Sequence, residues 1–322
     1  MTQPEHPEAP YGSGLSCLIC ANPSLGVLSS LNGTQIRRLW AALGTTISED
    51  AYRPLNPDTV VYLFRCNSCG FRFYDPAFAG TGRFYEELMA SKDYPLGGLD
   101  FEHILDFAAR SGIGRVLDIG CGEGAFLDLA RNAGLVTAGV ELNRVAAATA
   151  VCKGHRIINK SIESIHPDEL DGGADLVTLF QVLEHVAAPT EFARSVSRLV
   201  KAGGYLAIAV PSDRRMLGLL EHDPADWPPH HVSRWRPEDL RALGERLGLE
   251  LIEQGANPFF ATDIPWAYGL HDRLEGALGR KQLGIPKPIL EFASLIYRVA
   301  QFKRILPLHG LSIFALFRKS PA

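Results

Sequence analysis

The stretch RVLDIGCGEGAFL, from Arg115 to Leu127, decides how the rest of the 322-residue chain is read. Val116 and Leu117 are a short apolar run of the kind a buried strand makes, and Asp118 closes it. Gly120, Gly122 and Gly124 alternate behind it, and Phe126, Leu127, Leu129 and Ala130 then take up helical spacing. Strand, glycine-rich turn and helix form the nucleotide-binding opening of a doubly wound α/β sheet. Glycine lets such a turn bend tightly and admits a ligand where a Cβ would otherwise stand. The helix N-terminus adds N–H donors and a partial positive charge. The glycine spacing is G-x-G-x-G rather than G-x-G-x-x-G, and Asp118 and Glu123 make the turn acidic. A pyrophosphate is a poor partner for two carboxylates. A ligand carrying an ammonium group suits them better.

An apolar strand followed by D-x-G-x-G-x-G, at Asp118, Gly120, Gly122 and Gly124, resembles the first motif of the class I S-adenosylmethionine-dependent methyltransferases. The resemblance implies a Rossmann-like sheet and S-adenosylmethionine as cofactor. It puts Asp118 at the methionine end of that cofactor, with Gly120, Cys121, Gly122 and Gly124 as the turn beneath it. A second strand is expected over Thr137 to Leu142, with Glu141 near its end, 21 positions after Gly120. An acidic residue there accepts hydrogen bonds from both ribose hydroxyls, and Leu142 is expected beside it. Arg156 to Asn159 reads as a third strand. Behind it, Ile162 and Glu163 match by position the family's apolar and acidic contacts to adenine.

Ala174 to Phe180 is continuously apolar, as a central parallel strand should be. Phe180 and Gln181 mark its C-terminal end, where ligands bind in open α/β sheets. The run VLEHV, Val182 to Val186, resembles the fourth family motif and brings His185 to the substrate side. LVKAGGYLAIAVP, Leu199 to Pro211, is again close to the family pattern and supplies the fifth strand. Next comes an irregular stretch, Glu221 to Arg236, dense in Pro, His and Trp. Its PPHHVSRW segment is similar to the one that lines the acceptor site in the family. His231, His185 and His230 are therefore the candidate bases, His231 first, because an imidazole titrates near neutral pH. The alternative is that these histidines only brace loops.

Upstream, Cys17, Cys20, Cys66 and Cys69 form two C-x-x-C knuckles. Two such knuckles complete a tetrahedral structural zinc site. Cys121 and Cys152 fall outside that pattern. The segment between the pairs reads as a short helix, Ile36 to Leu43, with strands at Thr59 to Arg65 and Phe71 to Tyr74. It resembles the small zinc-binding domain that precedes the methyltransferase domain in some bacterial enzymes acting on sugars and glycans. The organisation expected is a lead over residues 1–13, a zinc-binding domain over 14–80 and a methyltransferase domain over 96–322. A helix from Leu99 to Arg110 opens the last of these, and Tyr85 and Tyr94 stand where they would cap the cofactor pocket.

Leu249 to Gln254 and Leu311 to Phe317 read as the final two strands, which the family joins by a hairpin. Here an insertion, 257–310, intervenes, and Ile289 to Phe302 has an apolar stripe at helical spacing. With Lys281, Lys287, Arg298, Lys303 and Arg304 in or beside it, 287–304 is either a lid or dimer helix or an interfacial helix for a lipid-linked substrate.

A hydrophobic content of 46% supports a sizeable core, and a net charge of −4 argues against a general grip on nucleic acid. No apolar run reaches the roughly 20 residues of a membrane span. The first residues lack the form of a secretory signal, so a cytoplasmic protein is expected. The reading is methyl transfer from S-adenosylmethionine to a small-molecule or glycan acceptor, foremost O-methylation of a sugar hydroxyl. The alternatives are a lipid-linked or quinone-type acceptor, a non-catalytic binding protein of the same fold, and a nicotinamide dehydrogenase, against which the glycine motif and VLEHV speak.

Overall fold

The computed structural model describes residues 14–90, 99–214, 222–258, 263–282, 284, 286, 288–292, 295 and 309–321. The expected glycine-motif strand is β4 (Arg115–Ile119), and the helix behind it is α4 (Ala125–Asn132). Phe126, Leu127 and Ala130 form the buried face of α4. Truncating a ring such as Phe126 in a core of this kind costs about 3–5 kcal/mol. β5 (Val136–Val140) and β6 (Arg156–Ile158) extend the sheet on one side, and β7 (Ala174–Phe180) and β8 (Val200–Pro211) on the other. α5 (Arg144–Cys152) and α6 (Pro189–Arg198) make two of the crossovers. Asn143 caps α5 through its side chain, and Pro189 starts α6, where a missing N–H costs nothing.

β11 (His309–Arg318) lies antiparallel against β8, and β10 (Glu250–Pro258), which follows α7 (Pro237–Arg246), antiparallel against β11. The order is β10-β11-β8-β7-β4-β5-β6, with β4 to β8 parallel to one another. The chain runs outward from β4 to β6, then returns to place β7 on the other side of β4. That reversal opens the crevice in which open α/β sheets bind ligands, at the C-terminal ends of β4 and β7.

The N-terminal part builds a second, smaller sheet from β1 (Leu25–Asn32), β2 (Val60–Cys66), β3 (Arg72–Phe73) and β9 (Ser233–Arg234). β9 belongs to the stretch just after His231, so the sheet is completed from outside 14–80. α1 (Gly33–Ala42) packs Ile36, Leu39 and Trp40 with Phe84 of α2 (Gly82–Ala90), Trp227, and Leu270 and Leu274 of α8 (Asp263–Ala277). The cysteine knuckles share the main core, since Cys17, Cys66, Phe71 and Phe73 cluster with Leu117, Leu179 and Trp235.

α3 (Leu99–Arg110) lies where expected. In the insertion, the helix α8 starts well before the apolar stripe read from the sequence. Within that stripe, 288–292 is helical. Tyr94, Lys287, Arg298, Lys303, Arg304 and residues 1–13 lie outside the described residues. No helix among the described residues is long and apolar enough to cross a membrane.

Candidate active site

Asp118, next to last in β4, is buried, and its Oδ1 accepts a 2.7 Å hydrogen bond from Thr178 of β7 across the switch point. Burial pushes its carboxyl up to about 7, opposed by the Thr178 bond and reinforced by Glu141. The turn behind it needs glycine. Gly120 has φ +72°, and a Cβ there would stand 2.6 Å from Val182 of the VLEHV run. Gly122 has φ +53° with nothing within 4 Å of a would-be Cβ, so its backbone faces open space. Cys121 is buried, with its thiol against Gly139 of β5.

Glu141 sits one residue past β5. Its Oε2 accepts from the Gly122 N–H at 2.9 Å and its Oε1 from the Asn143 N–H at 2.6 Å. Each oxygen keeps a further lone pair for a ribose hydroxyl. Leu142 beside it is exposed and Ile162 buried, while Glu163 is exposed in the turn after β6. Phe180 packs edge-on against Phe101 and Phe126, which ties its ring to the core side of the sheet. Gln181 takes a left-handed backbone, φ 57°, where the chain leaves β7. An acidic end, an open glycine backbone and a carboxylate at the next strand fit the methionine and ribose ends of S-adenosylmethionine.

His185, His230 and His231 meet beside this crevice. Their ring centroids lie 4.7 Å (185–230), 4.8 Å (185–231) and 4.3 Å (230–231) apart. Tyr85 of α2 donates to the His230 carbonyl at 2.8 Å, and Nδ1 of His185 makes a 2.8 Å bond to the same oxygen. Nδ1 of His230 bonds to the Ala225 carbonyl at 2.8 Å, and Nδ1 of His231 lies 3.2 Å from Oδ1 of Asp226. Burial, then His230, push the His185 imidazole down to about 3, against backbone bonds to His230 and Gln181. His230 and His231 stack at 21°, so their in-plane lone pairs run side by side. One ring nitrogen from each of the three histidines lies within 4.8 Å of the others.

Tyr85, expected to cap the cofactor pocket, bonds to the His230 carbonyl and lies beside His185, and Asp226 joins the cluster although no sequence pattern singled it out. The loop offers Asp223 and Asp226 alike, and only the turn geometry brings Asp226 to His231.

The four cysteines also come together. Sγ of Cys17 lies 3.5 Å from that of Cys69, Sγ of Cys20 lies 3.4 Å from that of Cys66, and all four fall within 4.8 Å of one another. Tetrahedral zinc with bonds of about 2.3 Å requires sulfurs roughly 3.8 Å apart, close to this arrangement. The N–H groups of Cys20 and Cys69 point at Sγ of Cys17 and Cys66, both at 3.5 Å. Burial raises Cys17 and Cys69. At Cys66 burial is outweighed by the Cys69 and Ser68 backbone and by neighbouring thiols, which bring it down to about 7.

Comparison with known proteins gives the family. Residues 84–254, just over half of the chain, match the family model described as a methyltransferase domain. The ubiquinone biosynthesis O-methyltransferase of Vibrio parahaemolyticus is 35% identical over 98 residues, 29% of this chain and 41% of that one. Its counterpart in Ralstonia nicotianae is 28% identical over 153 residues, 42% of this chain and 63% of that one. The chain thus spans less than two thirds of these relatives. Among solved structures, a SAM-dependent methyltransferase from Archaeoglobus fulgidus matches 68% of this chain and 94% of its own, at 19% identity and a TM-score of 0.40. The magnesium protoporphyrin IX methyltransferase of Synechocystis matches 73% and 94%, at 12% identity and a TM-score of 0.45. The chain belongs to the methyltransferase-domain family.

Proposed function

We propose that the chain methylates a hydroxyl of a small aromatic acceptor of the quinone-precursor type, with His231 as the base. The observation that carries this reading is the buried histidine cluster at the mouth of the switch-point crevice. The names of the matched relatives support the acceptor class. S-adenosylmethionine, when bound, supplies an electrophilic methyl on a sulfonium. Asp118 and the Gly120–Gly124 turn hold its methionine end, Glu141 its ribose, and Ile162 with Glu163 its adenine. Trp227 and Trp235, both fully buried, seal the loop behind the histidines. His231 takes the acceptor proton. His185, a weak base at this burial, orients His230 instead. Holding two reactants in one pocket contributes most of the acceleration.

Cys17, Cys20, Cys66 and Cys69 would hold one structural zinc. A sugar hydroxyl is the second reading, favoured by the likeness of the knuckle unit to that of bacterial sugar methyltransferases. A lipid-linked form of either acceptor is compatible with the exposed Ile289 and Phe292 in the insertion.

The test presents purified protein and labelled S-adenosylmethionine with catechol and with a panel of nucleotide sugars. Label in catechol, slowed about 10²–10⁴-fold in His231→Ala, supports the reading. Label in sugars alone moves the acceptor to the second reading. Binding of S-adenosylhomocysteine without transfer to either class overturns the acceptor assignment, and a loss below tenfold in His231→Ala removes the base.

A further inference from the structure

Asp226 is a buried carboxylate that the reaction outlined above does not use. Its Oδ1 lies 3.2 Å from Nδ1 of His231, with the two side chains 11% and 6% exposed. Asp226 ends a 3-10 turn, Pro224–Asp226, whose first donor is capped by Asp223. The Asp226 N–H bonds to the Asp223 carbonyl at 2.9 Å, and the His231 N–H to the Trp227 carbonyl at 3.3 Å. Both ends of the contact are thus held by main-chain bonds. Nearby, the buried Arg234 guanidinium lies 5.7 Å from the ring of Tyr74 and 5.6 Å from that of Trp227. Burial works against its charge, and Tyr74, Asp226 and Asp213 favour it. The attraction is mutual, so the carboxylate has a cationic neighbour.

A neutral imidazole carries its proton on one nitrogen, and the partner of that nitrogen selects which. A carboxylate at Nδ1 keeps the proton there and leaves the lone pair on Nε2. We propose that Asp226 is a positioning residue: it holds His231 in the Nδ1-protonated tautomer and stabilises the imidazolium formed when Nε2 takes the acceptor proton. The groups facing the histidines are distinct in charge. His230 stacks on His231 at 4.3 Å and His185 lies at 4.8 Å, both imidazoles. Glu184 lies 3.8 Å from Nε2 of His185, and Tyr85 bonds to the His185–His230 side. Asp226 brings negative charge directly to His231.

The role rests on the reading of His231 as the base, and the two are separable. The full chain, labelled with ¹⁵N-histidine and saturated with S-adenosylhomocysteine, is compared with Asp226→Asn, with His231→Ala assigning the signal. The expected wild-type spectrum shows a protonated Nδ1 on His231. In Asp226→Asn the tautomers mix or reverse, and the titration midpoint of His231 falls by about one unit as an opposing charge is lost. With catechol as acceptor, kcat falls about 10–100-fold while KM and S-adenosylhomocysteine affinity change less than threefold. An unchanged tautomer and midpoint in Asp226→Asn overturns the role of Asp226, even if His231→Ala is inactive. A changed tautomer with His231→Ala fully active overturns the base and leaves the pair structural. Should Asp226→Asn fail to bind S-adenosylhomocysteine, Asp226→Glu carries the test. Retained Nδ1 protonation with partial kcat supports the role, and wild-type kcat with a lost tautomer overturns it.

Discussion

Phe73 of β3 stands opposite Ser233 of β9 in an antiparallel pair. The strand that follows the second cysteine knuckle is therefore hydrogen-bonded to the strand that follows His231. Arg236, just beyond, reaches back with its guanidinium over Gly70, where a Cβ would meet it at 3.2 Å. Thr190 of α6 donates to the Leu18 carbonyl at 2.7 Å from the other side. The knuckles are tied into the stretch that carries His230 and His231 rather than standing as a separate appendage.

Cys66→Ser tests that coupling. Wild-type protein is expected to carry about one zinc per chain, and the variant much less. Because metal affinity at such a site is folding energy, hydrogen exchange in the variant should rise in β2, β3 and β9 together, with the amides of β4 and β7 still protected. Faster exchange confined to 14–80, with β9 unaffected, would show that the shared sheet does not transmit the change.

Gly122→Val and Glu141→Ala address the cofactor. The branched side chain at Gly122 would enter the open space its backbone faces, and S-adenosylhomocysteine binding should be abolished. The left-handed backbone there adds roughly 1–2 kcal/mol of strain, so folding is checked by thermal melting. Glu141→Ala should weaken binding by about 1–3 kcal/mol, the cost of losing a charged hydrogen-bond partner. Calorimetry giving wild-type affinity in both variants would remove the turn and Glu141 from the cofactor site.

Asp118 and His185 should bend the pH dependence of stability in opposite directions. The Asp118 carboxyl is raised from 3.8 to about 7 in the fold. Its contribution is fully present below 3.8 and is lost as pH rises through 7, so acidification favours the fold through this group. The His185 imidazole is lowered from 6.5 to about 3. Its contribution is present above 6.5 and lost as pH falls toward 3, so acidification disfavours the fold through this group. Urea melts of the ligand-free protein should therefore show a steeper loss on acidification in Asp118→Asn and a shallower one in His185→Gln. Parallel curves for both variants and wild type would contradict both shifts.

Asp118 also predicts a proton count. A cofactor ammonium beside it would favour the carboxylate, so S-adenosylhomocysteine binding near pH 7 should release a fraction of a proton, approaching one as pH falls below 7. Calorimetry in buffers of different ionisation enthalpy reads this directly. Release that persists unchanged in Asp118→Asn would assign the proton elsewhere.

Tyr85→Phe removes the hydroxyl that bonds to the His230 carbonyl and lies 3.2 Å from Nδ1 of His185. Losing one neutral hydrogen bond costs about 0.5–1.5 kcal/mol. Turnover should fall by roughly 2- to 12-fold on that basis, with S-adenosylhomocysteine affinity unchanged because both bonds of the hydroxyl go to the histidine cluster. A matching loss of cofactor affinity would return Tyr85 to the cofactor pocket.

The sequence alone determined the run of elements from β4 to β8 and the acidic glycine turn, because each depends on neighbours a few residues away. Val116-Leu117, the continuous apolar strand at β7 and the glycines at positive φ carry their structure in local pattern. The cysteine spacing likewise announced two knuckles. Only the tertiary structure decided what those pieces meet. β9 is two residues long and has no period to read, and the mixed LGVLSSLN pattern of β1 carries no clean alternation. α8 carries apolar residues all round rather than on one stripe, so its packing against α1 was invisible before the fold was formed. Asp226 and Asp223 are equivalent in the sequence, and Tyr85 precedes His185 by 100 positions. Hydrogen bonds at such separations follow from where the sheet and the loop place the backbone, a long-range outcome that local propensity does not encode.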